Sequence, residues 1–233
     1  MEKWQGKKKA VTFSFDDGVH QDVRLIEILN KYGLKGTFNL NSAYLGCKGK
    51  LERNGRVVGH YKVGPTEVKS VYAGHEVAVH TLAHPNLTEL EEETIVYQVE
   101  RDRLTLSELA GYEVVGMAYP CGGVNNDDRV ADIIKRRTGV KYSRTVISTG
   151  NFDLQENLYR FNPSVYYTDE KALFELGEKF INLKTDIPQI FYIWGHSYEM
   201  DAEYISWEKF EEFCKFISDK SDIFYGTNKE VLL

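Results

Sequence analysis

Two periodicities take turns along this chain, and that alternation limits its fold more than any other feature. Short runs rich in Val, Ile, Phe, Tyr and Thr alternate with longer stretches whose apolar residues recur every three or four positions. Helix-length connections bring the chain back to the same end of a sheet, so successive apolar runs pair as parallel strands covered by helices. Strands are expected near 10–15, 36–41, 76–80, 114–119, 141–146, 162–167, 189–195 and 222–226. Helices are expected between the first two strands and near 90–110, 126–137, 169–183 and 206–219. In the first of them Asp22 offers a cap, Leu25, Ile28, Leu29 and Tyr32 share a face, and Gly33 ends it. Residues 42–65, rich in Gly, Lys and Arg, read as a long loop, with one short helix after Thr66.

Seven or eight βα units imply an α/β fold, a distorted or incomplete (β/α) barrel of about seven to eight parallel strands. No low-complexity linker or internal repeat interrupts residues 1–233, so a single domain is expected. The 42% hydrophobic content supplies a core, and the formal charge of −6 argues against nucleic acid and anionic membrane surfaces as partners. A neutral or cationic small substrate such as a sugar fits that charge better. No run reaches the roughly 18–20 apolar residues of a membrane span. The basic N-terminus passes straight into the first strand, without the pattern of a secretory signal, so a cytoplasmic location or an exported form with its leader removed is expected. Cys47, Cys121 and Cys214 are odd in number and widely spaced, which disfavours a disulfide scaffold and a cysteine zinc site.

In a barrel of this kind chemistry gathers where strands end. The first strand ends in Asp16 and Asp17, followed by Gly18. An Asx-type turn explains one aspartate and not two, because adjacent carboxylates penalise each other's ionisation unless a cation lies beside them. His80 and His84, in VAVHTLAHP, follow the third strand; at this spacing both imidazoles can face one point if the residues between them turn like a helix. Two imidazoles and a carboxylate make a common divalent-metal site, leaving the second aspartate free as a base. His196, in YIWGHS, follows another strand and suits a proton donor. Trp194 and Tyr119 could stack on a sugar ring. His20, His60 and His75 read as structural or solvent-facing.

SFDD at 14–17, HTLAH at 80–84, AYPCG at 118–122 and WGH at 194–196 together resemble the ordered motifs of the polysaccharide deacetylases, carbohydrate esterase family four, over about residues 10–200. The resemblance implies metal-dependent removal of acetyl groups from an acetylated carbohydrate, N-acetyl before O-acetyl. It makes Asp17, His80 and His84 the metal ligands, Asp16 the general base, His196 the general acid and the Cys121 backbone N–H an oxyanion donor beside Pro120. Tyr119, Pro120 and Trp194 become substrate-binding residues. The His and carboxylate donor set suits Zn2+, and Co2+, Ni2+ or Fe2+ would bind the same ligands.

Three places depart from the family pattern. The family commonly carries an arginine two residues before the proline of its third motif, and this chain has Ala118. Arg144, at the end of the next expected strand, is the residue able to supply that guanidinium to Asp16. The usual acidic partner of the acid histidine has no direct match, and Glu199 lies nearest in sequence; Arg160 resembles part of the fourth motif without its acidic partner. Two other functions fit the same residues: a cyclic-amide hydrolase on this barrel, and a carbohydrate-binding relative that kept the metal without efficient chemistry.

Overall fold

In a computed structural model of the chain, residues 3–233 are described. The strands are β1 Lys9–Asp16, β2 Gly36–Leu40, β3 Lys48–Arg53, β4 Arg56–Tyr61, β5 Glu76–Val79, β6 Gly116–Ala118, β7 Tyr142–Arg144, β8 Val165–Tyr166, β9 Gln189–Gly195 and β10 Ile223–Tyr225. The helices are α1 Gln21–Lys31, α2 Val68–Val71, α3 Glu92–Ala110, α4 Asp128–Arg137, α5 Glu170–Asn182, α6 Tyr198–Asp201, α7 Trp207–Ile217 and α8 Asn228–Leu232. Eight strands form one parallel sheet in the order β7-β6-β5-β2-β1-β9-β8, with β10 pairing the first residues of β1. The sheet curls into a distorted (β/α) barrel that does not close as a full ladder: between β7 and β8 a single parallel bridge, Arg144 to Phe161, spans the gap.

Side-chain alternation along β1 explains how the site is placed. Phe13 and Phe15 point outward and pack edge-on against Phe210 of α7. Thr12, Ser14 and Asp16 take the opposite face, toward a polar barrel interior. There Asn228 of α8 donates to Thr12 Oγ1 at 2.8 Å, and Asn39 of β2 donates to Ser14 Oγ at 2.9 Å. The last inward residue of β1 is therefore Asp16, at the C-terminal mouth.

Two expectations change on the structure. Residues 42–65 are not a loop: β3 and β4 form an antiparallel hairpin joined at Asn54–Gly55, whose glycines and charges hide its alternation. Leu51 and Val58 face each other across it and pack with Val19, Tyr198 and Ala202. Asp22 does not cap α1, since His20 holds that position. Instead Asp22 is buried in the first turn, accepting from Ser197 Oγ at 2.6 Å and Tyr72 Oη at 2.8 Å, and burial pushes its carboxyl up to about 7. Among the described residues no helix is long and apolar enough to cross a membrane.

Candidate active site

The end of β1 is where the backbone turns sharply. Asp17 (φ 83°) and Gly18 (φ 59°) both take left-handed conformations, which swing the two carboxylates apart. Asp16 stays buried inside the barrel. There Arg144 Nη2 donates to both of its oxygens, at 2.6 and 2.5 Å, and Asn39 Nδ2 donates to Oδ1 at 2.8 Å. Ala118 and Arg144 are register partners on β6 and β7, so an arginine moved from one to the other still reaches the same carboxylate. Burial alone would raise the Asp16 carboxyl; the Arg144 guanidinium, with His80 and His196, holds it below the usual range.

Asp17 faces the other way and meets both histidines. One ligand atom each of Asp17, His80 and His84 lie within 4.8 Å of one another, a group that could hold a metal ion. The expected helical turn between the histidines does not form; left-handed backbone at Thr81 (φ 66°) and His84 (φ 56°) brings the rings to 4.9 Å between centroids. His80 Nδ1 lies 2.9 Å from the Ala118 carbonyl, whose bond fixes the proton there and leaves the Nε2 lone pair free to bind a metal. Burial pushes His80 down to about 4 and lowers His84, so both rings are neutral at physiological pH. This donor set fits a divalent cation.

His196 lies 4.0 Å from Asp16 through Nε2, while its Nδ1 is 3.3 Å from Glu199 Oε1. Glu199 also accepts from the His196 backbone N–H at 3.0 Å and from the Tyr166 hydroxyl. Burial opposes the imidazolium, but Glu199 and Asp16 outweigh it and lift His196 to about 9. Glu199, adjacent only in sequence until folding, is thus the acidic partner of His196.

These groups line a cavity of about 630 Å3, together with Tyr119, Cys121, Tyr166, Trp194 and Tyr198. Trp194 stacks on Tyr166 at 4.3 Å. Cys121 adopts φ 68°, and its N–H donates to no acceptor among the described residues; burial raises its thiol, consistent with a main-chain role. Pro120 is buried and does not line the cavity, its carbonyl being taken by Asn125 Nδ2. Arg160 stays outside it, paired with Asp128 at 2.6 Å.

The hairpin adds two further groups beside Asp17 that no sequence motif marks. His60, read as structural or solvent-facing, lies 3.3 Å from Asp17 Oδ2, and buried Lys62 donates to the Asp17 carbonyl at 2.6 Å. His75 does sit away from the site: its Nδ1 accepts from Gly36 N–H at 3.1 Å and its Nε2 lies 3.1 Å from Asn30 Oδ1.

The sequence profile of the family described as polysaccharide deacetylase matches residues 3–142. The chain belongs to the polysaccharide deacetylase family. Solved structures resemble it at the level of the fold. Against the Streptococcus pyogenes deacetylase PplD in complex with acetate the identity is 20% and the TM-score 0.53, covering 64% of this chain and 61% of that one. Against the peptidoglycan deacetylase PdaC of Bacillus subtilis the identity is 18% and the TM-score 0.58, covering 97% and 90%. Against a CE4 family pseudoenzyme from Bacillus anthracis the identity is 20% and the TM-score 0.56, covering 98% and 66%. This family member therefore spans about three fifths of the Streptococcus protein's length. No curated protein matches it by sequence.

Proposed function

We propose that this family member is a metal-dependent hydrolase that removes acetyl groups from a carbohydrate, N-acetyl in preference to O-acetyl. One observation carries the reading: an Asp-His-His cluster able to hold a cation stands beside a separately braced carboxylate and a glutamate-paired imidazole. A binding protein needs the first and has no use for the other two.

Asp17, His80 and His84 would hold the ion, with Zn2+ suited to these ligands. When bound there, such an ion would supply Lewis acidity, lowering the pKa of water and offsetting negative charge on the acetyl oxygen. Asp16, kept ionised by Arg144, accepts the proton from the attacking water. The Cys121 N–H, free of protein acceptors, donates to the acetyl oxygen as it gains charge. His196, held by Glu199, gives its proton to the departing nitrogen. An amine leaves poorly without that proton, more so than an alkoxide, which favours the amide substrate. Tyr119 and Trp194 border the cavity but are buried, the Trp194 ring lying between Tyr166 and the Arg144 guanidinium, so they shape the pocket wall and do not offer open faces to the sugar.

Acetate release from matched N-acetylated and O-acetylated oligosaccharides tests the reading. Wild-type protein should release acetate faster from the amide, and Asp16→Asn should reduce release by at least about 1000-fold. No release from either substrate would refute it.

A further inference from the structure

The expected neutral sugar leaves unexplained the charges that the β3–β4 hairpin brings to the cavity. The chain carries a formal charge of −6, yet residues 48–62 contain five basic residues, Lys48, Lys50, Arg53, Arg56 and Lys62, and one acidic residue, Glu52. Two have evident internal work: Arg56 pairs with Glu203, and Lys62 holds Asp17. Arg53 and Lys48 line the cavity and have no ion-pair partner among the described residues.

The hairpin is fixed in place. Its turn is tied to α6 by Asn54 Nδ2, which donates to the Ala202 carbonyl at 3.0 Å, and its second strand to α1 by Gln21 Nε2, which donates to the Gly59 carbonyl at 2.9 Å. Along β3 the alternation puts Leu51 and Arg53 on the face that packs toward Val58 and Tyr198, while Lys48, five residues before Arg53 and on the opposite alternation, borders the cavity from the first position of the strand. Arg53 and Tyr198 line the same cavity, and the Tyr198 ring lies 5.0 Å from that of His196. The carboxylates of the cavity are meanwhile engaged: Asp16 with Arg144, Asp17 with Lys62 and His60, Glu199 with His196 and Tyr166. Nothing anionic in the lining is left over for Arg53 and Lys48.

We propose that the hairpin makes this site selective for acetylated saccharides carrying an anionic group, a carboxylate or a phosphate, read by Arg53 and Lys48. The proposal rests on the deacetylase reading of the same site. Local cations at a partly enclosed mouth raise the concentration of an anionic substrate there, against a molecule whose overall charge would repel it. A guanidinium also binds either oxyanion through paired N–H donors.

The test measures kcat/KM for three matched substrates: a neutral N-acetylglucosamine oligosaccharide, one bearing a uronic carboxylate and one bearing a sugar phosphate. Wild-type protein should favour an anionic substrate at least about tenfold, through KM, with the preference shrinking as salt rises from about 20 to 300 mM. The double variant Arg53→Gln, Lys48→Gln should lose most of that ratio. Lys50→Gln, which changes a cation of the same hairpin that lines no cavity, should keep it. The larger of the two anionic ratios identifies the group. Equal turnover of neutral and anionic substrates, or an unchanged ratio in the double variant, overturns the selectivity and leaves the deacetylase reading standing. Release of acetate from none of the three overturns both.

Discussion

Arg144 is the sharpest place to perturb the proton-handling half of the site. Its side chain is 0% exposed and that of Asp16 2%, so the pair is screened by almost no water. Besides Asp16, the guanidinium donates to the Thr145 carbonyl at 2.9 Å and stacks 4.5 Å above the Trp194 ring. Arg144→Met removes the cation and leaves Asp16 with the Asn39 amide as its remaining side-chain donor. Stripping one partner from a buried pair costs about 3–5 kcal/mol. The protein can relieve that cost by protonating Asp16, and a protonated Asp16 cannot take a proton from water. Turnover at pH 7 should fall at least about 100-fold, with a lower melting temperature. Arg144→Lys keeps the charge but loses the planar fork; forfeiting one charge-assisted hydrogen bond, worth about 1.5–3 kcal/mol, corresponds to about a 10- to 100-fold loss. Arg144 touches none of Asp17, His80 and His84, so metal content should stay at the wild-type level in both variants. Acetate-release kinetics, elemental analysis and thermal melts on the same preparations read all three quantities. Wild-type turnover in Arg144→Met, or turnover and metal lost together, would refute the assignment of Arg144 to Asp16.

Two further expectations concern the scaffold. Gly18→Ala puts a Cβ 2.8 Å from Leu40 Cγ at a residue with φ +59°; left-handed strain and overpacking together should cost about 2–4 kcal/mol, read as a drop in melting temperature and weaker metal binding at neighbouring Asp17. His75 is pushed down to about 4 by burial and by Lys35, so between pH 6.5 and 4 the unfolded chain binds the proton and the folded one does not. Its contribution is present above pH 6.5 and lost as pH falls toward 4. The stability advantage of wild type over His75→Gln in urea unfolding should therefore shrink by about 2–4 kcal/mol across that window; a constant difference would show that His75 titrates alike in both states.

Much of the barrel is legible because its buried strands are short runs rich in β-branched and aromatic residues, separated by stretches of helical period. All eight strands expected from such runs form and pair in parallel, each within a few residues of its expected bounds. The strand-end rule drew attention to Asp16, His80 and His196 for the same reason. Arg144 could be reached because a guanidinium spans one strand spacing. The hairpin could not: half-exposed, with Gly49, Gly55 and Gly59 interrupting it, it offers no apolar run, and its core is Leu51 and Val58 packed on residues distant in sequence. His60, read as structural or solvent-facing, and Lys62 belong to that hairpin and meet Asp17 only once it folds. The four-residue spacing shows that His80 and His84 can meet, but not the left-handed turns at Thr81 and His84 that bring them together in place of a helical turn. Asp22 misled because the sequence does not distinguish a first-turn aspartate exposed as a cap from one buried against Ser197 and Tyr72.

In the proposed reaction one divalent cation, held by Asp17, His80 and His84, works together with Asp16. Chelator-stripped protein titrated with Zn2+ while acetate release is followed tests it most directly. Activity should rise from near zero and level off at one equivalent, His84→Ala should need far more metal, and Asp16→Asn should bind one equivalent while staying inactive. Full activity in the stripped protein, or an Asp16→Asn variant as active as wild type, would rule out that pairing of cation and base.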